Sequence, residues 1–396
     1  MIQISPETQL FIREHSSDDV RALALQAKKY PDINMPTAIT QIAGRQVAAE
    51  KIPSWREIEE IWYPKHLSLE QCSSEITARY KARLLQGDSL TDLTGGFGID
   101  CSFLATGFKT ATYVERQEEL CEIAAHNFPI LNLNHINVRN EDGVAYLQSM
   151  SPVDCIFLDP ARRNEHGGKT VAISDCEPNV AELEALLLSK ANRVMIKLSP
   201  MLDLSLALKE LKHTQEVHIL SVNNECKELL ILLGQTSPAE IAIHCVNLLT
   251  KGTQEEQHFV FTREQEQRSQ CTYTDSLGDY LYEPNTSLLK AGAFRSIAAA
   301  YPVRKLHPNS HLYTSDTFIE NFPGRIFRIV NQCSFNKKEV KENLADLKKA
   351  NVTVRNFPAT VAELRKRLHL TEGGDTYLFA STLNNGQKVI IRCEKV

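Results

Sequence analysis

The stretch Leu90-Thr91-Asp92-Leu93-Thr94-Gly95-Gly96-Phe97-Gly98-Ile99-Asp100 constrains this chain more than any other. A short apolar run ends in an acid, three glycines fall within four residues, and a helix start comes next. That order reads as strand, tight turn, helix. Glycine permits the sharp turn and lets a ligand approach the main chain, because no Cβ intervenes. The helix N-terminus presents unpaired N–H groups. Such a turn also occurs for packing alone, so its meaning depends on the residues downstream.

Downstream of the turn, strands and helices alternate. Strands are expected at 90–93, 110–114, 136–138, 153–158 and 193–197. Helices are expected at 101–106, 117–128, 143–150, 180–190 and 204–211. Such alternation implies parallel pairing with helices on both faces. Two further strands, 217–222 and 228–233, meet at Asn223-Asn224 and should add an antiparallel edge hairpin. The fold class is therefore α/β, a Rossmann-like doubly wound sheet. Residues 1–86 read as a helical N-terminal domain. Ser17 or Asp18 can cap a helix running towards Lys29, and Ser68 can open one reaching Leu85. Ile76, Tyr80 and Leu84 should face a core, with Lys81 on another face. The sheet occupies 87–235. Small α+β modules lie beyond it at 236–323 and 324–396, with strands expected at 240–248 and 258–262 and one helix at 287–300.

Length and composition set outer limits. With 396 residues, 42% hydrophobic and 23% charged, the chain is long enough for several ordinary globular domains. No apolar run suits a membrane span, and the first 19 residues carry four acids without an apolar segment, unlike a secretory signal. The ten cysteines include no Cys-x-x-Cys pair, which argues against a zinc site or a disulfide scaffold and for the reducing cytoplasm. No metal is expected. Net charge is −5, but residues 325–396 hold 14 Lys and Arg against 7 Asp and Glu, a basic end of +7 on a body of −12. The bland reading of that end is a pair of helices with solvated faces.

Ligands of an open parallel sheet sit beyond the C-terminal ends of its strands, where the strand order switches. Four successive ends here carry acids: Asp92 with its glycines, Glu115, Asp142 and Asp159-Pro160. Glu115 lies about twenty residues beyond the turn, where a carboxylate accepts from a ribose diol. An acid after the third strand can accept from an adenine amine. NAD would want a third glycine near Ser102 or Phe103, to seat a pyrophosphate. Acid-x-x-x-Gly-x-Gly suits S-adenosylmethionine better, because a cationic amino-acid part can be held by carboxylates.

The turn from Asp92 to Asp100, together with Glu115, Asp142 and Asp159-Pro160-Ala161-Arg162, resembles the class I S-adenosylmethionine-dependent methyltransferases, and its form is close to that of RNA methyltransferases. The segment from Glu283-Pro284-Asn285 to Gly292, and the close from Leu364-Arg365-Lys366-Arg367-Leu368 to Phe379, resemble the bacterial members with ferredoxin-like and THUMP-like C-terminal modules. The resemblance implies S-adenosylmethionine as cofactor, held by Asp92, Thr94, Gly95, Gly96, Phe97, Gly98, Asp100, Glu115, Arg116, Asp142 and Gly143. It places Asp159 and Pro160 at the methyl acceptor. Where amino-methylating relatives often carry a second proline and an aromatic, this chain has Ala161-Arg162, so Phe97 or another domain would have to supply stacking.

The expected reaction is methyl transfer to an exocyclic amine of a base in structured RNA, tRNA or rRNA, with no membrane partner. Arg162, Arg163 and Lys169, near the turn Gly167-Gly168, and Arg365, Lys366 and Arg367 are the expected substrate contacts. Three alternatives stay open. They are pyrimidine C5 methylation, which needs a cysteine nucleophile such as Cys155, Cys176 or Cys226, a small-molecule methyltransferase, and a non-catalytic RNA-binding protein that keeps the cofactor fold. Oligomeric state is not legible.

Overall fold

Caps set the N-terminal helices. Ser5 Oγ accepts from Thr8 N at 3.2 Å and opens α1 (Pro6–Glu14). Asp19 accepts from Arg21 N at 2.8 Å and opens α2 (Val20–Leu25). Asn34 opens α3 (Met35–Lys51), with Pro36 in the first turn, where its missing N–H costs nothing. The α2 cap is thus Asp19 instead of Ser17 or Asp18, and a separate 3-10 turn, Ala27–Lys29, carries the chain on. α4 (Pro53–Arg56), α5 (His66–Gln71) and α6 (Glu75–Ala82) come next. The expected single helix from Ser68 to Leu85 is two, because Cys72-Ser73-Ser74 leave the helix and turn the Ser73 hydroxyl inward.

The computed structural model describes residues 4–162, 172–251 and 256–396. They form two compact units, Met1–Gln215 with Leu230–Pro238, and Glu216–Leu229 with Ala239–Val396. The division passes through a hairpin that sequence alone assigns wholly to the first.

In the first unit, β1 (Ser89–Asp92), α7 (Ile99–Leu104), β2 (Thr110–Glu115), α8 (Glu118–Ile130), β3 (Ile136–Asn140), α9 (Gly143–Ser149) and β4 (Val153–Leu158) alternate as expected. A short antiparallel pair succeeds them, β5 (Ala161–Arg162) with β6 (Cys176–Glu177). Then come α10 (Val180–Lys190), β7 (Ala191–Leu198) and α11 (Leu204–Glu210). β8 (Thr214–Val222) and β9 (Glu225–Gly234) straddle the two units. Strand order is β9-β7-β4-β1-β2-β3, and β1 pairs in parallel with both β2 and β4. The order therefore reverses between β1 and β4, and the crevice lies over their C-terminal ends.

The N-terminal helices close over this region. Trp55, Tyr63 and Leu69 share a buried cluster with Phe97, Ile99 and Ile123. Two amides fix the extended chain between helices. Gln41 exchanges hydrogen bonds of 2.9 Å with the Tyr63 main chain, and Asn127 does the same with Trp62.

In the second unit, Asn223 and Asn224 both have positive φ, +48° and +67°, as a two-residue hairpin turn requires. β10 (Ala242–Leu248) pairs in parallel with β8, and β11 (Glu256–Phe261) pairs antiparallel with β10. These two strands, expected in the next module, pair onto the β8–β9 hairpin. α12 (Arg263–Arg268) falls between the elements expected in this module, started by the Thr262/Gln265 capping box. β12 (Tyr280–Pro284), α13 (Thr286–Ala291), α14 (Ser296–Ala300), β13 (Arg304–Lys305), β14 (Tyr313–Ser315), β15 (Gly324–Ser334), α15 (Lys337–Leu344), β16 (Asn351–Val354), α16 (Val361–Leu368), β17 (Thr376–Thr382) and β18 (Lys388–Lys395) complete the chain. Gly292, at φ +78°, ends α13 and divides the one helix expected there. The second sheet runs β13-β14-β12-β15-β18-β17-β16.

Glu283-Pro284-Asn285 is a structural joint. Glu283 is 1% exposed and pairs with Arg325, whose Nε lies at 2.8 Å, and with Arg355 at 3.0 Å. Asn285 Oδ1 caps α13 through Ser287 N and Leu288 N. Removing a cation partner strands the charge of the buried Glu283 carboxylate. Arg325→Ala should therefore lower the unfolding free energy by about 3 kcal/mol in a denaturant titration. Arg328→Ala, at a pair exposed on both sides, should cost less than about 1 kcal/mol.

Candidate active site

The glycine turn is built as its conformations demand. Gly96 and Gly98 have φ of +54° and +87°. A Cβ on Gly96 would meet only Thr94 O, at 3.8 Å, so that face of the turn is open. Gly95 and Gly143 serve packing. A Cβ on Gly95 would lie 2.2 Å from the Tyr113 ring, and one on Gly143 2.2 Å from Leu93 O. Phe97 is 4% exposed, with its ring edge-on to Trp55 at 5.3 Å. Only its backbone belongs to the turn, so Phe97 is not the missing stacking aromatic.

The strand-end acids take different states. Glu115, at the end of β2, accepts from Gly96 N at 2.9 Å and Gln117 N at 2.8 Å, one bond per oxygen. A carboxylate offers about four acceptor sites, so two remain beyond these bonds. Asp142 is exposed; its Oδ1 accepts from Val144 N and Ala145 N at 3.0 Å and caps α9. Arg116 is exposed, with Nη1 3.6 Å from the Glu177 carboxylate.

Asp92, Asp100 and Asp159 gather about two lysines. Lys81, on α6, is fully buried; its Nζ lies 2.9 Å from Asp100 Oδ1 and donates to Ser73 Oγ at 2.8 Å. Ser73 Oγ donates to Asp100 Oδ2 at 2.7 Å. Lys197, at the end of β7, reaches Asp100 Oδ2 at 3.3 Å, Ser73 Oγ at 3.1 Å and Asp159 Oδ2 at 2.5 Å. Thr94 Oγ1 accepts from Asp159 N at 2.6 Å, which ties the glycine turn to the end of β4. Burial acts to raise the Asp100 pKa, but Lys81 and Lys197 outweigh it and hold the carboxyl below its usual range. Burial raises Asp159 in spite of Lys197. Asp92, 1% exposed, is pushed from 3.8 to about 8, first by burial and then by Asp100 and Asp159, against the Thr94 N–H that it accepts. Within the cluster the two lysines thus favour the ionised form of Asp100, while burial holds Asp92 toward its protonated form.

Of the expected substrate contacts, Arg163 and Lys169 lie outside the described residues, as does Gly167-Gly168, and Arg162 is placed by its backbone in β5. On α16, Arg365 pairs with Glu372 at 3.1 Å, Arg367 stacks 4.1 Å from the Phe335 ring centroid, and Lys366 is exposed.

Residues 280–323 match a ferredoxin-like domain family and residues 324–395 a THUMP domain-like family. No curated protein matches the chain. A putative methyltransferase from Porphyromonas gingivalis W83 is 34% identical over 100% of both chains, with a TM-score of 0.87. The chain belongs to this methyltransferase family, with THUMP-like and ferredoxin-like C-terminal domains. Two shorter likenesses have low scores. A putative methyltransferase from Streptococcus mutans, in complex with S-adenosyl-homocysteine, is 12% identical over 40% of this chain and 96% of its own, at TM-score 0.30. M. capricolum TrmK, also with S-adenosyl-homocysteine, is 12% identical over 41% and 68%, at 0.32.

Sequence reading of this family member missed Ser73, Lys81 and Lys197. The available signal for Lys197 was a lone charge inside the apolar run Met195-Ile196-Lys197-Leu198. None existed for Lys81, which looks like any helix-surface lysine until its burial is seen. Lys81→Met should cost about 3–5 kcal/mol by leaving Asp100 short of one partner, whereas Arg79→Ala, exposed on the same helix, should cost under about 1 kcal/mol; thermal unfolding of both variants checks this. Asp92 has a folded pKa above its unfolded one. Its contribution to stability is full below about pH 4 and is lost as pH rises through about 8. Asp92→Asn should therefore flatten the fall in stability between those limits, measured by denaturant midpoints across the range.

Proposed function

We infer that the chain is an S-adenosylmethionine-dependent methyltransferase acting on an exocyclic amine of a base in structured RNA. The observation that carries the reading is the convergence of Asp92, Asp100 and Asp159 with Lys197 at the strand-order reversal, beside the open face of Gly96. The residues suit this cofactor. Glu115 keeps acceptor sites for the ribose diol, and Asp142 for the adenine. Asp92 offers a carboxyl that ionises when a cation arrives. Bound there, S-adenosylmethionine supplies a methyl group activated by its sulfonium charge.

The chain's own part is to bind, orient and exclude water. Lys197 fixes the Asp159 side chain, which keeps 36% of its surface exposed, so one carboxylate oxygen is anchored and the other can accept from an amine N–H. Pro160, buried behind it, stiffens that main chain. The THUMP domain-like match and the basic end of the chain support RNA as substrate. The cysteine route has weaker support. Burial pushes the Cys155 thiol up to about 11 and raises Cys226, where a nucleophile needs a thiolate.

Calorimetry with S-adenosylmethionine is the test. Wild type should bind and Glu115→Ala should lose binding, with folding confirmed by circular dichroism. Binding near neutral pH should release a proton, seen as a heat that varies with the buffer's ionisation enthalpy, and Asp92→Asn should abolish that variation. Asp159→Ala and Lys197→Met should keep cofactor binding but lower methyl transfer to total RNA at least about 100-fold. Absence of binding by the wild type sinks the reading, and full turnover by Asp159→Ala removes that residue's role.

A further inference from the structure

A cluster of imidazoles lies on one face of the strands in the second unit and takes no part in the chemistry above. Glu216 and His218 are two residues apart on β8, so they share a face. In the register of the parallel pair β8–β10, His218 stands opposite His244. Their rings stack at 4.3 Å, with 12° between planes. Glu216 Oε2 lies 3.6 Å from His218 Nε2 and 3.6 Å from His244 Nε2. The donor atoms of all three residues fall within 4.8 Å of one another. His258, on β11, stacks on the outer side of His244 at 5.3 Å, with its Nε2 3.2 Å from His244 Nδ1.

We propose that Glu216, His218 and His244 form a zinc site that ties β8 to β10, with His258 orienting His244. Imidazole and carboxylate donors suit Zn²⁺, which takes both at about 2.0–2.2 Å in tetrahedral geometry. Neighbouring ligands in that geometry stand about 3.3 Å apart, so the carboxylate-to-imidazole distances of 3.6 Å are already close to it. The ligands sit on paired strands, where the ladder fixes their separation before any ion arrives. The proposal requires the tautomer in which His244 Nδ1–H donates across the 3.2 Å contact to His258 Nε2, which leaves His244 Nε2 bare toward Glu216, as a metal-ligating histidine needs. His218 is 3% exposed and His244 half-buried, which limits competition by water. Three protein ligands leave a fourth position for a water molecule. The cysteine spacing that argues against zinc does not bear on this donor set, which needs no thiolate.

The test uses the untagged full chain. Wild type, freed of metal with a chelator, is titrated with ZnCl₂ by calorimetry, and with CoCl₂ while the visible absorption of tetrahedral Co²⁺ is recorded. We expect one zinc per chain and a cobalt spectrum that zinc displaces. His244→Ala and Glu216→Gln should each weaken zinc binding at least about tenfold, and His258→Ala should weaken it less. His126→Ala, a ring stacked on Trp62, should bind like wild type. Absence of zinc binding by the wild type overturns the proposal, and so does binding that Glu216→Gln and His244→Ala leave unchanged. Glu216→Gln is half-buried and nearly isosteric, so it decides the matter even if His244→Ala does not fold.

Discussion

The Lys81–Asp100–Lys197–Asp159 chain of charges is the interaction on which the first unit's site depends. A parallel sheet delivers its strand ends to one edge, and here two of those deliveries, Asp92 and Asp159, are aspartates, joined by Asp100 from the first turn of α7. Left alone they would repel in a region poor in water. At an effective dielectric near 20, two unit charges 3 Å apart interact by about 5 kcal/mol, a repulsion no small domain tolerates several times over. Lys197 comes from the sheet, but Lys81 comes from α6 and Ser73 from the link between α5 and α6, both in the N-terminal helical region. Those helices therefore complete the electrostatics of the site as well as covering it. Removing two lysines from water is itself costly, so the network contributes fixed geometry more than net stability.

Asp92 stands apart from its neighbours. Asp100 faces both lysines, whereas Asp92, the most buried of the three acids, is held toward its protonated form by burial and by the neighbouring carboxyls. An acid of that kind becomes complementary to a cation by releasing its proton. Glu115 is held differently, by two backbone N–H groups, and suits an uncharged hydrogen-bonding ligand. On the proposed reading, the Asp92 end of the site answers to charge and the Glu115 end to hydroxyls.

Much of this was legible in the sequence. Val153–Leu158 and Val180–Lys190 fall where periodicity places them, because a buried parallel strand and a capped helix each leave a local signature. What escaped was non-local. Lys81 has the sequence signature of a surface residue, and only the fold reveals its burial. Phe97 sits inside a glycine turn and reads as ligand-facing, yet it belongs to the core with Trp55 and Tyr63. The break between α5 and α6 answers to the need for Ser73 in the cluster, which no helix propensity encodes. β10 joins β8 in parallel after the hairpin, a pairing that alternation cannot announce.

The basic end of the chain divides in a way its net charge conceals. Its arginines are largely engaged: Arg325 and Arg355 on Glu283, Arg328 on Glu394, Arg365 on Glu372 and Arg392 on Asp346. Lys337, Lys338, Lys341, Lys348, Lys349 and Lys366 are exposed. Lysine offers a hydrated point charge, whereas arginine's rigid fork matches planar acceptors. A surface whose available charge is lysine attracts a phosphate backbone without reading its bases. On the RNA reading, affinity from this end is then steeply salt-dependent and indifferent to sequence. Selection of the target nucleotide falls to the strand-end site and to the shape of the RNA.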